Sequence, residues 1–261
     1  MKLKVALGQL DIEYAQPEKN VAKVKRMVAE AATHNADVVV LPEMWNTGYA
    51  LSRLDELADI AGQKTRKLLE KVAADCKIDI VGGSVATNKE GQYFNTTYIV
   101  DRTGKTISSY DKVHLFGLMS EDQYLTAGEK ENYFTLAGVP SASFICYDLR
   151  FPEWVRTVAC HGSEILYFPA EWPAERISQW KRLVQARAIE NQAFVVAVNR
   201  VGDDPDNHFS GHSIIADPLG NILVDAGEVE QVCYGVVDLT QIKAVRGPIP
   251  VFKDRRPALY R

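Results

Sequence analysis

Apolar residues recur along this chain in two periods, strand-like and helix-like, which alternate from one end to the other. Leu3 to Leu10 reads as a strand. Pro17 suits a helix start, where its missing N–H would have no intrahelical partner anyway. Val21, Val24, Val28, Ala31 and Ala32 then return at helical spacing. Asp37 to Leu41 predicts a buried strand, and a helix from about Thr65 to Cys76 leads to a strand over Ile78 to Val85. In the middle, Tyr93 to Asp101 and Thr106 to His114 alternate like paired strands around Arg102-Thr103-Gly104-Lys105, a hairpin pattern. Ser141 to Ile145 predicts a strand ending at Cys146, and Pro152 to Ala159 a short helix. A strand over Ile165 to Phe168, a helix marked by Ile177, Trp180, Leu183 and Val184, and a strand over Phe194 to Val198 follow. Ser213 to Ala216 and Ile222 to Val224 flank a turn, and Val232 to Asp238 closes the regular part. The tail from Arg246 to Arg261, rich in Pro and Arg, reads as irregular.

Helices mixed with hairpins and single strands predict an α/β architecture with mixed sheets. No repeat, low-complexity block or linker interrupts the pattern, so residues 1–261 are expected to form one domain. At 46% hydrophobic, 261 residues can bury a sizeable core. The net charge of −4 argues against a nucleic-acid partner, which wants a basic surface. No run approaches the ~20 apolar residues of a membrane span. The apolar stretch after Met1-Lys2-Leu3-Lys4 ends at Asp11, too soon for a signal-peptide core, so a cytoplasmic location is expected.

Four cysteines show no C-x-x-C pair and no histidine at zinc-finger spacing, so neither a structural metal nor a disulfide framework is implied. Cys76, Cys160 and Cys233 read as small buried hydrophobes. Cys146 differs. An apolar strand ends at it and a helix begins at Pro152, so its side chain can project into a cleft beside free N–H groups that favour a thiolate or an oxyanion. The alternative is a buried strand-end cysteine. Glu43 directly follows the run Val39-Val40-Leu41-Pro42, at a sheet edge where partial desolvation makes a base; the alternative is a solvated loop residue. Lys112 ends the second strand of the hairpin, where it could stabilise a thiolate or oxyanion, or could be a surface lysine.

Together these segments resemble a family. Leu41-Pro42-Glu43, Tyr110-Asp111-Lys112-Val113-His114-Leu115 and Cys146-Tyr147-Asp148-Leu149-Arg150-Phe151-Pro152-Glu153 resemble, in order, the signature blocks of the nitrilase superfamily of carbon–nitrogen hydrolases. Val5 to Leu10, Arg187 to Gln192, Gly211-His212-Ser213 and Asp217 to Gly220 resemble further blocks, so the likeness spans the chain. The resemblance implies a four-layer α-β-β-α sandwich with a Glu-Lys-Cys triad between two sheets. It makes Glu43 the general base, Lys112 the oxyanion-stabilising residue and Cys146 the nucleophile, with the Tyr147 N–H completing the oxyanion hole. It implies a second glutamate near the site, and Glu121, nine residues after Lys112, fits. It implies amide hydrolysis through a thioester with no metal or organic cofactor. It also implies a homodimer, for which the Trp154–Val155–Val158 and Ile177–Trp180–Leu183 faces are candidates.

Of the remaining residues, His114 reads as bracing the site from the strand face it shares with Lys112, rather than as half of a Cys–His dyad. His34, His161 and His208 read as surface or loop residues, and His212 as near the site or packed. Asp148, Arg150 and Glu153 are expected to pair their charges behind the nucleophile. Gly82-Gly83 reads as close backbone packing. Phe116, Met119 and Trp172 are candidate substrate-binding residues; Trp45 and Tyr49 line the pocket or the core.

Glu171-Trp172-Pro173, Asn207 to Ser213 and Ile249 to Phe252 resemble the omega-amidase branch, which implies hydrolysis of the terminal amide of 2-oxoglutaramate or 2-oxosuccinamate in salvage after transamination, methionine salvage included. A nitrilase, an amidase of aliphatic or N-carbamoyl amides, and an idle scaffold member are the competing readings. The intact Glu43, Lys112 and Cys146 weigh against the last. A thiol redox sensor would need a resolving cysteine, and none lies near Cys146 in sequence.

Overall fold

The computed structural model describes residues 1–260, and its layers follow from side-chain parity along the strands. In the strand β1 (Lys2–Gln9), Leu3, Val5 and Leu7 join one apolar cluster while Ala6 joins another. In β2 (Val38–Val40), Val38 and Val40 go one way and Val39 the other. Period-two alternation sends successive side chains to opposite faces, so a strand apolar at every position must be covered twice.

After β2 come a short helix α2 (Leu54–Leu57), following α1 (Pro17–Thr33), the two-residue strand β3 (Asp59–Ile60) and α3 (Gln63–Cys76). Next are β4 (Asp79–Val81), β5 (Val85–Lys89), β6 (Gln92–Val100), β7 (Thr106–Asp111) and the single turn α4 (Glu121–Tyr124). The second half holds β8 (Tyr133–Leu136), β9 (Val139–Ser143), α5 (Pro152–Ala159), β10 (Ile165–Ala170), α6 (Ile177–Asn191) and β11 (Phe194–Asn199). A small hairpin of β12 (Val201–Asp203) and β13 (His208–Ser210) precedes β14 (Ile214–Ala216), β15 (Ile222–Asp225) and β16 (Gln231–Asp238). The helices α7 (Thr240–Arg246) and α8 (Val251–Asp254) follow.

Among the described residues, one eight-stranded sheet runs β16-β1-β2-β4-β6-β5-β3 with β7 on β6, and a six-stranded sheet runs β15-β14-β11-β10-β9-β8. Strands β1, β2 and β4 are parallel, as are β9, β10 and β11. Between the sheets lie Val5, Leu7, Val38, Val40 and Val81 from the first and Ile165, Tyr167, Phe194, Val196 and Val198 from the second. Outside the first sheet, Val24, Met27, Val28 and Ala31 of α1 and Leu69 and Ala73 of α3 cover Ala6, Val39 and Ile80. Outside the second, Val155 and Val158 of α5 and Trp180, Val184 and Ala188 of α6 cover Leu166, Phe168, Val195 and Ala197. This is the expected α-β-β-α sandwich, and each fully buried Val or Leu in it is worth about 1.5–3 kcal/mol.

The structure departs from the sequence reading in several places. The run Ile78 to Val85 is two strands, because the chain breaks at Gly82-Gly83. At Gly82 a Cβ would meet Leu69 Cδ1 at 2.6 Å and the Tyr98 carbonyl at 2.7 Å; at Gly83, with φ +63°, it would collide with the Pro42 carbonyl. The pair therefore serves close backbone packing. Strands β3, β8, β12 and β13 and helix α7 were not legible; α7 buries only Ile242, too little for a period. The tail, expected to be irregular, contains α8 and a turn Pro257–Leu259, with Arg261 outside the described residues. Cys160, at the end of α5, is exposed where a core role was expected, while Cys76 and Cys233 are half-buried, packed against the outer and the inter-sheet apolar clusters. No described helix is long and apolar enough to cross a membrane.

Gly83 sits against the turn that carries Glu43, since Ser84 N–H donates to the Pro42 carbonyl at 3.0 Å and Met44 N–H to Ser84 Oγ at 2.9 Å. Gly83→Ala is expected to destabilise the protein by more than about 1 kcal/mol, read as a lower midpoint in urea unfolding. An unchanged midpoint would show that the Pro42–Ser84 contact can relax.

Candidate active site

Parallel strands end at one edge of both sheets, and a polar residue follows each apolar run there. Glu43 lies beyond β2, Cys146 beyond β9, Glu171 directly after β10 and Arg200 directly after β11. Lys112 follows β7, and Glu121 opens α4. Clefts at carboxyl ends of strands are the usual ligand sites of open α/β sheets.

These side chains converge out of water. Lys112 Nζ donates to Glu43 Oε1 and to Glu121 Oε1, each at 2.7 Å, and all three side chains are fully buried. Glu43 Oε1 also accepts from Asn95 Nδ2 at 2.8 Å and Tyr49 OH at 2.9 Å, while Oε2 accepts from the Glu171 N–H at 2.8 Å. Tyr49 OH lies 2.7 Å from Glu121 Oε1 as well. Glu121 Oε2 accepts from the Phe116 N–H at 2.6 Å. Burial works against the Lys112 ammonium, but Glu121 and Glu43 outweigh it and hold its pKa above the ordinary lysine range. Burial pushes Glu121 up, against the pull of Lys112.

Cys146 is buried with φ +43°, a conformation that costs a non-glycine residue roughly 1–2 kcal/mol. Strain of this kind collects at functional sites where surrounding structure enforces it. The enforcing contact is Asp148, whose Oδ2 accepts from the Ile145 N–H at 2.9 Å and Tyr110 OH at 2.7 Å. Its Oδ1 takes the His114 N–H at 3.1 Å and the His114 ring at 2.7 Å. The backbone flanking Glu43 and Glu121 is left-handed too, at Met44 and Ser120. Burial pushes the Cys146 thiol well above its ordinary range and Glu43 adds to this; Lys112 pulls the other way. Cys146 is thus held toward its thiol form.

A narrow cleft of about 10 Å³, room for little more than one water, opens at Cys146. Phe116, Tyr147 and Trp172 form apolar wall, and Arg150 and Arg176 bring two guanidinium groups to it. Arg150 lies 4.6 Å over the Trp172 ring and Arg176 5.9 Å over Phe116.

The structure thus brings Glu43, Lys112, Cys146 and Glu121 together and places Tyr147, Phe116 and Trp172 on the cleft. Met119 is off it: the turn Gly117–Met119 and the left-handed Ser120 aim Glu121 inward instead. Trp45 is core, its Nε1 on the Gly82 carbonyl at 2.8 Å. His114 braces through Asp148 and stacks on Phe151 at 3.7 Å, but it lies beyond the end of β7, not on a strand face shared with Lys112. Asp148, Arg150 and Glu153 do not pair with one another, because Asp148 is saturated by donors from Tyr110, His114 and Ile145, and Arg150 reaches Gln179 at 2.7 Å. His212 lies with Asp225 and Glu228, away from the cleft wall. Sequence reading missed Asn95, Arg150, Arg176 and Arg200 as contributors. The rule that singled out Glu43, a polar residue ending an apolar run, also singles out Arg200.

Two face-to-face sheets with a buried glutamate–lysine–cysteine cluster at their strand ends define the class as the nitrilase-superfamily fold. The chain belongs to the carbon–nitrogen hydrolase family, which it matches over residues 4–247. It is 47% identical to a 2-oxoglutaramate amidase of Bacillus subtilis, with 100% of both chains covered. It is 32% identical to an omega-amidase of Homo sapiens, over 98% of this chain and 96% of that one. A carbon–nitrogen hydrolase superfamily protein from Xanthomonas campestris, solved with an arsenic adduct in its active site, superposes with a TM-score of 0.90 at 30% identity, covering 98% of each chain. The sequence-level likeness to the omega-amidase branch agrees with the names of these relatives.

Because the Cys146 thiol is held above its ordinary range, its thiolate fraction must grow as pH rises through neutrality. Alkylation of Cys146 by iodoacetamide, read by mass spectrometry of its peptide, is expected to accelerate steadily from about pH 6 to about pH 9. A rate already flat below about pH 7 would mean a preformed thiolate and contradict the site geometry.

Proposed function

We propose that the protein hydrolyses the terminal amide of a small 2-oxo dicarboxylic acid monoamide, of the 2-oxoglutaramate or 2-oxosuccinamate kind, to the acid and ammonia. The observation that carries this reading is the pair Arg150 and Arg176 on the cleft that holds Cys146. Two cations there suit the substrate's far carboxylate, and the apolar walls suit an uncharged 2-oxo carbon. The names of the relatives point the same way.

In this reading Glu43 takes the Cys146 proton, and the thiolate attacks the amide carbon. Lys112 holds Glu43 and Glu121 at 2.7 Å each, and its third N–H, on Tyr49 OH at a long 3.5 Å, can turn to the oxyanion. The Tyr147 N–H is the second oxyanion donor. Glu43 returns its proton to the departing nitrogen, ammonia leaves a thioester on Cys146, and water activated by Glu43 hydrolyses it. Glu121 and Tyr49 hold Lys112 and Glu43 in place.

The same reading carries a homodimer in the cytoplasm, acting in salvage after transamination, including methionine salvage. The faces first considered for the dimer are not free: Val155, Val158 and Trp180 are spent on the chain's own core, with Trp154, Ile177 and Leu183 packed against it. The exposed Ile189 and Leu219 are better candidates for a partner.

Glutamine differs from 2-oxoglutaramate only in carrying an ammonium where the latter has an oxo group. Glu171 also lines the cleft, but it is fully buried with its Oε2 held by Arg200 at 3.1 Å, so beside Arg150 and Arg176 that ammonium meets more positive than free negative charge. Such a mismatch costs several kcal/mol, on the order of a thousandfold in kcat/KM. Ammonia release from 2-oxoglutaramate and from glutamine tests this. A preference for glutamine, or faster turnover of a simple nitrile, would reject the 2-oxo amide reading. Arg150→Ala is expected to raise KM for 2-oxoglutaramate by about tenfold or more while leaving kcat nearly unchanged, as loss of one charge-assisted contact does. An unchanged KM would place the carboxylate elsewhere.

A further inference from the structure

Glu171 takes no step in the reaction proposed above, yet it touches both of its principal groups. It emerges from the sheet directly after β10, and its N–H donates to Glu43 Oε2 at 2.8 Å. Its carbonyl accepts from Cys146 Sγ at 3.9 Å. One residue's backbone therefore contacts the base and the nucleophile together.

The side chain of the same residue is tied down from behind. It is fully buried, and its Oε2 accepts from Arg200 Nη1 at 3.1 Å. Arg200 is fully buried as well. It is fixed by bonds from Nη2 to the Ile12 carbonyl at 2.9 Å and the Asp203 carbonyl at 3.3 Å, and from Nε to the Val201 carbonyl at 3.0 Å. Its guanidinium lies 4.5 Å over the Phe209 ring. The next residue is pinned too, with Trp172 N–H on Asn199 Oδ1 at 2.6 Å and Asn199 Nδ2 on the Trp172 carbonyl at 3.0 Å.

A buried ion pair is poor grounds for a stability role, since desolvation offsets its attraction. The Oε1 of Glu171 has no partner among the described residues, so the pair is not optimised for hydrogen bonding either. What this arrangement offers is position: a planar, multiply bonded guanidinium is a rigid anchor. We propose that Arg200 and Glu171 are a positioning pair, in which Arg200 fixes the Glu171 side chain so that the Glu171 N–H and carbonyl set Glu43 and Cys146 in attacking register. The proposal rests on the assignment of Cys146 and Glu43 made above and concerns how those two groups are held.

A misplacement near 1 Å in a reacting group costs about a hundredfold. The test measures kcat, KM and thermal midpoint for wild type, Glu171→Ala, Glu171→Gln and Arg200→Lys with 2-oxoglutaramate, alongside iodoacetamide labelling of Cys146 in each. Glu171→Ala is expected to lose about a hundredfold in kcat with KM within about threefold of wild type. Glu171→Gln, whose amide oxygen still accepts from Arg200, should recover most of that loss. Arg200→Lys keeps the charge but not the fork, and should lose about tenfold in kcat. A purely structural role would lower the thermal midpoint without this split between kcat and KM, and without rescue by glutamine. Should Glu171→Ala fail to fold, Arg200→Lys decides. Wild-type kcat in Arg200→Lys, or in a folded Glu171→Ala, or a loss confined to KM, overturns the positioning role. If Cys146 labels normally in wild type while the variants match wild type, only the positioning pair falls. If wild type neither labels at Cys146 nor releases ammonia, the nucleophile assignment falls and the pair with it.

Discussion

The rest of this structure depends on one buried ammonium shared by two carboxylates. Lys112, Glu43 and Glu121 are fully out of water, and the lysine bridges the other two at 2.7 Å each. Removing Lys112 would leave two carboxylates without a counter-charge in a low-dielectric interior, a penalty of several kcal/mol. The cluster is further balanced by Arg200 against Glu171, so three carboxyls face two cations. Burial pushes Glu171 up to about 8, against the pull of Arg200 and with a further push from Glu43.

Such a cluster survives only where backbone and side-chain donors are dense, and the meeting of strand ends supplies them. Glu43 alone takes four hydrogen bonds, from Lys112, Asn95, Tyr49 and the Glu171 N–H. These donors come from four separate segments of chain, and their agreement at one carboxylate requires both sheets to be in register. The apolar layer between the sheets, from Val5 and Val38 to Tyr167 and Val196, provides that register by packing the two inner faces against each other. Core packing and the charge cluster are two ends of the same strands.

The cleft adds selectivity on the solvent side. Its thiol is neutral and its wall bears two guanidinium groups, so its field favours anions. This agrees with a chain that is 47% identical to a 2-oxoglutaramate amidase over its full length.

Much of this was legible in the sequence for a physical reason. Strands covered on both faces are largely apolar, so β2, β10, β11 and the Val5–Leu7 stretch of β1 stand out as runs, and a polar residue ending such a run lies at a sheet edge. That pattern made Glu43 and Cys146 candidates, as the hairpin made Lys112 one; their roles, and the choice of Glu121, came from the resemblance to the nitrilase superfamily. What the sequence did not carry is whatever depends on elements far apart in the chain meeting in space. Asn95 is one polar residue in a strand of several, and only pairing places its amide on Glu43. Asp148 was expected to pair with Arg150 and Glu153 nearby, but the fold brings Tyr110 and His114 to it from 38 and 34 residues away. Arg150 was freed by that exchange to face the cleft, and Met119 was turned off it by the left-handed Ser120. Local patterning reports which residues are buried; which buried polar groups satisfy one another is settled only by tertiary packing, because each donor must find its acceptor within about 3 Å.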